Sequence, residues 1–333
     1  MRLYTHAGGG IKGKNAEMDR FSGLHGRDML FRWRVDEVKW VGTDSSYYNA
    51  MTMKAGIAVS EKCKITAGPG VSGITAEKEQ PWRTWATEDG AEAERAIHSP
   101  KNLGEGTHLL SGCMIDPYAG YTSPKTALTP SGNFADADWF QSPVVRCDTS
   151  TMIVKYTGGC ILIDVNPTLV FDAIVKDRIK DSAKHVWDAY FHADNWTKPV
   201  INEPKRIPGR TPYGKLHRIL DGAVPCLEDP DTAPAGTIAA NRAFSIGQCR
   251  QLWPTVNPGP ESLDCDEYPF ASTQEGSLAA HGHFSVRHIG ASDNRASGGD
   301  LGLFYERTRR LNADAFWVYP KPRPQDKDVP PVR

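Results

Sequence analysis

The chain has 333 residues, more than one hydrophobic core usually organises, so two domains are expected. Hydrophobic residues make up 39% and charged residues 24%, which is typical of a globular protein and excludes a largely disordered chain. The formal net charge of -1 excludes a global attraction to nucleic acid or to an anionic membrane. Any DNA-binding surface must therefore be a local patch.

The first 25 residues are rich in glycine and polar side chains and predict a flexible arm. Residues 8–14 fit the G-x-x-x-x-G-K spacing of a phosphate-binding loop. Asn15, however, stands where a Ser or Thr would meet magnesium, and no buried strand precedes the loop. We interpret this spacing as a chance match.

Residues 26–140 predict a β-rich domain, whose role the sequence does not indicate. Residues 29–35 and 50–59 have the composition of strands and are separated by turn-forming Asp, Ser and Gly. The polar, Pro-containing stretch at residues 121–133 is interpreted as the linker that ends this domain.

Residues 141–320 predict a second domain of mixed α and β structure, and a Pro-rich extended tail follows at residues 321–333. The predicted strands of this domain are residues 142–146, 159–165, 283–289 and 315–319. Its predicted helices are residues 171–192 and, after a turn at Gly298-Gly299, residues 301–311. The basic, Pro-containing segment 204–218 is expected to be an ordered surface loop.

Seven cysteines are present and none of them forms a C-x-x-C pair, so disulfides are favoured over a structural zinc site. Cys147 with Cys160, and Cys249 with Cys265, would each close a loop of moderate length. Cys63 with Cys113 is a further candidate pair, and Cys226 is left over. Such disulfides would place the protein outside the cytoplasm.

The most informative stretch is residues 264–275, where four carboxylates surround aromatic residues and a cysteine. Acids so close repel one another, so a fold keeps them mainly where a cation binds or a proton moves. The segment Ser292-Asp293-Asn294-Arg295 follows and offers oxygen ligands and a guanidinium. Together these segments indicate phosphodiester hydrolysis assisted by a divalent cation.

The acidic segment also resembles the NucA/NucB-type deoxyribonuclease domain of secreted bacterial nucleases. The residues that carry the resemblance are 265–272, Glu275-Gly276, 285–287 and Asn294, with upstream support at residues 145–148, 158–160, 184–189, 208–210 and 216–218. The resemblance covers about residues 143–320. It implies an α+β fold with a small ββα-metal-like nuclease core and disulfides, preceded here by the β-rich domain.

The resemblance also implies roles for particular residues. Asp266 is expected to be the general base, and Asn294 a ligand of one Mg²⁺ or Mn²⁺. Glu267 or Glu275 would complete or orient that ligand shell. Arg287 would contact the scissile phosphate, although a structural ion pair is an equal alternative.

Further basic residues are candidates for binding the DNA backbone, namely Arg210, Arg218 and Arg295. His185 and His217 are interpreted as packing or surface residues. His281 and His283 lack a third placed ligand, so they do not predict a zinc site.

These residues predict a secreted, metal-dependent endonuclease that cleaves DNA with little sequence preference. An inhibitor protein of the producing cell is a candidate partner, and the sequence does not decide whether one is needed. An RNase with the same mechanism is one alternative, since backbone attack does not distinguish the two sugars. A non-catalytic extracellular binding protein with a relic nuclease fold is the other. No membrane association is expected, because no apolar run is long enough to span a bilayer. The amino terminus has no signal-peptide h-region, so we expect either an upstream signal or a different export route.

Overall fold

The structure is a computed structural model that describes residues 2–6, 27–35, 51–60, 62–65, 75–87, 91–122, 131–133, 144–153, 158–220, 238–254 and 262–331. It divides into two compact units, Met1–Val165 and Asn166–Arg333. Several small sheets and helices alternate along the chain, which confirms the predicted α+β class.

The first unit consists mainly of antiparallel strands in two sheets. One sheet has the order β1-β2-β6-β4, and the other has the order β10-β9-β7-β3-β5 with β8 paired to β7. The strands are β1 (Arg2–His6), β2 (Asp28–Val35), β3 (Thr52–Val59), β4 (Lys64–Ile65), β5 (Thr75–Pro81), β6 (Ala91–His98), β7 (Ser111–Thr122), β8 (Ser131–Asn133), β9 (Val144–Asp148) and β10 (Gly159–Leu162). A short helix, α1 (Trp82–Thr87), follows β5.

The core of this unit is built from buried aliphatic side chains around Trp85. Ile57, Ile97 and Ile115 are fully buried, as expected for β-branched residues on the inner face of a sheet. The Trp85 indole Nε1 donates a hydrogen bond to the Met53 carbonyl at 2.8 Å, so its polar atom is satisfied inside the core.

Three predictions for this unit need correction. Arg2–His6 is a strand paired with β2, whereas the rest of the predicted arm, including the loop-like match at residues 8–14, lies outside the described residues. The expected linker at residues 121–133 contains the end of β7 and all of β8. The first unit ends at Val165, not at residue 140, because β9 pairs with β7 in its sheet.

The second unit combines two small sheets with helices. β11 (Thr168–Asp172) pairs in parallel with β15 (Ala315–Lys321), which also pairs with β12 (Leu216–His217). β13 (Leu263–Tyr268) and β14 (Ser285–Gly290) form an antiparallel pair. The α-helices are α2 (Lys180–Phe191), α3 (Ala193–Trp196), α4 (Ile238–Leu252) and α5 (Ala291–Arg307), and short 3-10 helices lie at Asp177–Ile179 and Pro324–Asp326. Because α5 follows β14 directly, β13, β14 and α5 form a ββα unit.

The core of the second unit joins α2 and α5 to both sheets. Phe171, Tyr268 and Phe316 are almost completely buried there, with Val186 from α2 and Leu301 from α5. The Phe171 and Phe270 rings meet edge to face with centroids 5.7 Å apart. This packing fixes α2 against the acidic strand β13.

The helix predicted at residues 171–192 begins later, since Phe171 lies in β11 and α2 starts at Lys180. The apolar residues of the predicted segment have helical spacing. Phe171 is nevertheless in a strand, because β11 pairs with β15, which is distant in sequence. The turn predicted at Gly298-Gly299 is also wrong, because α5 runs through both glycines. Burial of Leu301 and Tyr305 outweighs the roughly 1 kcal/mol that each glycine costs a helix.

The predicted extended tail is partly folded. Pro324–Asp326 is a 3-10 helix, and Arg323 forms ion pairs with Asp326 at 2.6 Å and with Asp177 at 3.1 Å. The pair with Asp177 connects this segment to the 3-10 helix that precedes α2.

Among the described residues, three disulfides are formed. Cys147–Cys160 and Cys249–Cys265 are the two predicted pairs, and Cys63–Cys113 is the further candidate pair. Cys226 lies outside the described residues. Within the described ranges, no helix combines the length and the apolar character that crossing a membrane requires.

Candidate active site

A buried histidine and aspartate form the centre of the site. His185 on α2 is fully buried, and its Nδ1 lies 2.7 Å from Asp266 Oδ2 on β13. Its Nε2 lies 2.7 Å from the Ser285 Oγ on β14. Both ring nitrogens therefore have partners, and the imidazole is held between the two strands of the ββα unit.

The electrostatics of this pair follow from its burial. Burial, followed by repulsion from Asp293, raises the pKa of Asp266 to about 8. Burial, with repulsion from Arg287, lowers the pKa of His185 well below its ordinary value, so the ring is neutral. When Asp266 is ionised, the Nδ1–H of His185 donates to it and Nε2 accepts the Ser285 hydroxyl. The carboxylate is then oriented by an uncharged donor.

Asp266 forms part of the wall of a cavity of about 400 Å³. Three carboxylates of β13 reach this cavity, together with one amide from α5 and one arginine each from α4 and α5. These residues are Asp264, Asp266, Glu267, Asn294, Arg242 and Arg295. Side chains that the sequence separates widely thus share one concave surface, the arrangement expected of an active site.

Glu267 is the second perturbed carboxyl group of the cavity. Burial, followed by repulsion from Asp266, raises its pKa to about 7, and Arg242 acts in the opposite direction. Two adjacent acids whose pKa values are both raised toward neutrality are characteristic of proton transfer or cation binding.

Asn294 is held in the cavity by its amide nitrogen, which donates to the Cys265 carbonyl at 3.3 Å. Among the described residues, its Oδ1 accepts no hydrogen bond, so this oxygen can serve as a ligand. The adjacent Asp293 has a different function. Its carboxylate accepts the backbone N–H groups of Asp181 and Ser182 at 2.9 and 3.0 Å, so it caps the start of α2.

The donor set of this cavity suits a hard cation. Within the described ranges, no three His, Cys, Asp or Glu side chains converge as a ready-made metal site. Mg²⁺ and Mn²⁺ need fewer protein ligands, since Mg²⁺ usually keeps several waters and binds through one or two carboxylates and the substrate phosphate. Glu267 and the Asn294 amide oxygen would meet that requirement. The residues therefore fit a hydrated divalent cation.

Two other predicted site residues, Glu275 and Arg287, do not line this cavity. Glu275 accepts a hydrogen bond from the backbone N–H of His217 at 2.9 Å and pairs with its Nδ1 at 2.6 Å. Arg287 is buried and pairs with Asp188 at 2.7 Å, as an ion pair without hydrogen-bond alignment. The structural alternative for Arg287 is therefore the arrangement observed.

The predicted DNA-binding arginines also have intramolecular partners. Arg210 donates to the Tyr190 carbonyl and lies over the Phe191 ring, 4.7 Å from its centroid. Arg218 donates to the Arg310 carbonyl and lies over the ring of Tyr305. Neither lines the cavity. Arg295 does line it, and pairs with Asp264 at 3.2 Å while its side chain stays 74% exposed.

Two residues of the site were not predicted. His185 was interpreted as a packing residue, although it lies within the upstream residues of the stated resemblance. A single histidine on a helix carries no signal of its partner, since Asp266 lies far along the chain. Arg242 was not identified, because one arginine in a polar helix resembles any solvated side chain.

A second cavity, of about 640 Å³, contains no carboxylate among the described residues that line it. Its walls include Trp196, Lys198, Trp253 and Pro330. We therefore assign the chemistry to the acidic cavity.

Comparison with known proteins supports this assignment. The family model Deoxyribonuclease NucA/NucB matches residues 227–319 and confirms the resemblance stated from the acidic segment. The match contains β13, β14 and α5, and with them Asp266, Glu267 and Asn294, but not α2 with His185. No curated protein and no solved structure matches the chain.

Proposed function

We propose that the protein is a metal-dependent endonuclease that hydrolyses DNA phosphodiester bonds with little sequence preference. One observation carries this proposal. The segment similar to the deoxyribonuclease family supplies two carboxyl groups with raised pKa values and an amide oxygen to one cavity. Low sequence preference is expected because the reacting group is the backbone, which is the same at every base.

In this proposal, Asp266 accepts the proton of the attacking water. Its pKa of about 8 makes it a stronger base than an ordinary carboxylate, which suits a general base that works near neutral pH. His185 holds the carboxylate in place through Nδ1, and Ser285 fixes the orientation of the ring through Nε2. Glu267 and Asn294 would hold a divalent cation. When bound, that cation supplies Lewis-acid stabilisation of the charge that develops on the phosphate oxygens.

We also propose that the protein works outside the cytoplasm. Three disulfides close loops in the two units, and such bonds persist mainly in oxidising compartments.

A plasmid-nicking assay with Mg²⁺, Mn²⁺ or EDTA tests the proposal, with RNA digested in parallel. We expect relaxed and linear plasmid with either metal and supercoiled plasmid alone with EDTA. Preferential degradation of RNA would make the protein a ribonuclease. If neither DNA nor RNA is cleaved under any of these conditions, the alternative of a non-catalytic binding protein is favoured.

The variant Asp266→Ala tests the assignment of the base. We expect cleavage to fall by roughly 100-fold to 10,000-fold, the usual range for losing a general base. Circular dichroism and thermal unfolding check that the variant is folded. Wild-type cleavage by a folded variant would remove Asp266 from the mechanism.

A further inference from the structure

Helix α4 is fixed against the acidic strand β13 and against the segment that follows this strand. The Cys249–Cys265 disulfide joins it covalently to β13. On its buried side, the Asn241 amide donates to the Ala271 carbonyl at 2.9 Å, and Ser245 Oγ lies 2.7 Å from Ser277 Oγ. The helix is therefore a rigid wall of the cavity.

Arg242 follows the buried Asn241 and lies on the exposed side of α4, where it lines the cavity. Its charge is close enough to lower the pKa of Glu267. Within the part of the chain that the structure describes, its guanidinium makes no hydrogen bond and no ion pair. The other cavity arginine, Arg295, already has Asp264 as a partner.

A guanidinium without a partner among the described residues can bind a phosphate at this position. The carboxylates of β13 repel a polyanion, so a phosphate can approach them only where positive charge offsets this repulsion. Arginine suits that purpose, since its planar fork binds phosphate oxygens with two parallel hydrogen bonds and stays charged at any working pH. Arg242 on α4 meets these conditions, and Arg295 on α5, although paired with Asp264, adds a second positive charge at the cavity wall.

We infer that Arg242, assisted by Arg295, forms a phosphodiester-binding subsite in the acidic cavity, and that its ligand is a backbone phosphate of the DNA strand. This inference rests on the proposed function, because it assigns the substrate contact for the same site. Arg242 binds the substrate directly, and the Cys249–Cys265 bond keeps it beside β13.

The test compares Arg242→Gln with Arg250→Gln. Arg250 is a matched control because it lies on the same helix, is exposed, and is not a cavity residue. Both variants remove one positive charge from α4. Two quantities are measured, namely kcat/KM for DNA cleavage with Mg²⁺ and the Kd for a fluorescein-labelled DNA oligonucleotide in EDTA over a range of salt concentrations.

We expect Arg242→Gln to lower kcat/KM and to raise the Kd by roughly 10-fold to 100-fold, the range for losing hydrogen bonds to a charged group. The magnitude of the slope of log K against log salt concentration should fall by about one, the change expected when one phosphate contact is lost. Arg242→Lys should recover part of the affinity, and its unfolding temperature checks that the fold is intact. Arg250→Gln should stay within about twofold of the wild type.

Wild-type affinity and cleavage by Arg242→Gln would overturn the inference, as would equal losses in both variants, which would indicate a general charge effect. The binding measurement also separates this inference from the proposed function. If the wild type does not cleave DNA, the proposed function fails, while the Kd values still report whether Arg242 contacts the backbone.

Discussion

His185 Nδ1 and Asp266 Oδ2, which lie on different elements of the second unit, are 2.7 Å apart, with His185 fully buried and Asp266 9% exposed. The neutral imidazole holds a carboxyl group whose proton affinity burial has raised.

The first prediction concerns His185. Replacing it with Gln removes the ring that bridges Asp266 and Ser285, so the carboxylate loses its fixed orientation. We expect kcat to fall roughly 10-fold to 100-fold, the range seen when a partner that orients a site residue is lost. KM for DNA should change little, since His185 is fully buried and cannot contact substrate. Steady-state cleavage kinetics measure both constants.

His217→Gln is the control for that substitution. His217 is also paired with a carboxylate, Glu275, but it does not line the cavity. We expect wild-type kcat from this variant. An equal loss of kcat in the two histidine variants would contradict a specific role for His185.

The second prediction concerns the pH dependence of cleavage. Asp266 must be ionised to accept a proton, and its pKa is about 8. Cleavage should therefore increase with pH from neutrality toward about pH 9, with an acidic limb that reports this ionisation. The residual activity of Asp266→Asn should lack that limb. A pH–rate profile that is flat over this range would contradict the assignment.

The third prediction concerns stability against pH. The folded protein keeps a proton on Asp266 up to about pH 8, whereas the unfolded chain releases it near the ordinary pKa of about 3.9. Between these values the folded state binds more protons, so the contribution of Asp266 to the free energy of unfolding falls as pH rises. Urea unfolding from pH 5 to pH 8 measures this slope. Asp266→Asn should make the slope smaller.

The fourth prediction concerns the ion pair of Asp188 and Arg287, whose side chains are 0% and 10% exposed. Asp188→Asn leaves Arg287 buried without its counter-charge and also removes the ion pair of Asp188 with Lys184, and we expect a loss of about 3–5 kcal/mol in the free energy of unfolding. Asp300→Asn is the control, because its partners Arg178 and Lys176 are 53% and 46% exposed and such pairs contribute about 0–1 kcal/mol each. Urea denaturation compares them, and similar losses would contradict a buried pair.

The fifth prediction concerns Asn294 as a cation ligand. Asn294→Ala removes the amide oxygen from the cavity, so the Mg²⁺ concentration for half-maximal cleavage should rise roughly 10-fold to 100-fold. Asn294→Asp keeps an oxygen at the same place and should need less Mg²⁺ than the alanine variant. Titration of cleavage against Mg²⁺ measures this requirement. An unchanged requirement in both variants would remove Asn294 from the ligand set.

Composition and local pattern were sufficient for much of this protein. Asp264, Asp266 and Glu267 are neighbours in the sequence, so the acidic cluster can be recognised without knowledge of the fold. The strand β14 was also predicted from the sequence, as were the disulfides Cys147–Cys160 and Cys249–Cys265.

Long-range contacts decided the rest. Phe171 lies in a strand because β11 pairs with β15, which is distant in the sequence. His185 reaches the site because α2 packs on β13 and β14, and Arg287 pairs with the buried Asp188 and does not line the cavity. A side chain's chemistry is set by its own atoms, but its pKa and its role depend on burial and on neighbours that only the folded chain brings together.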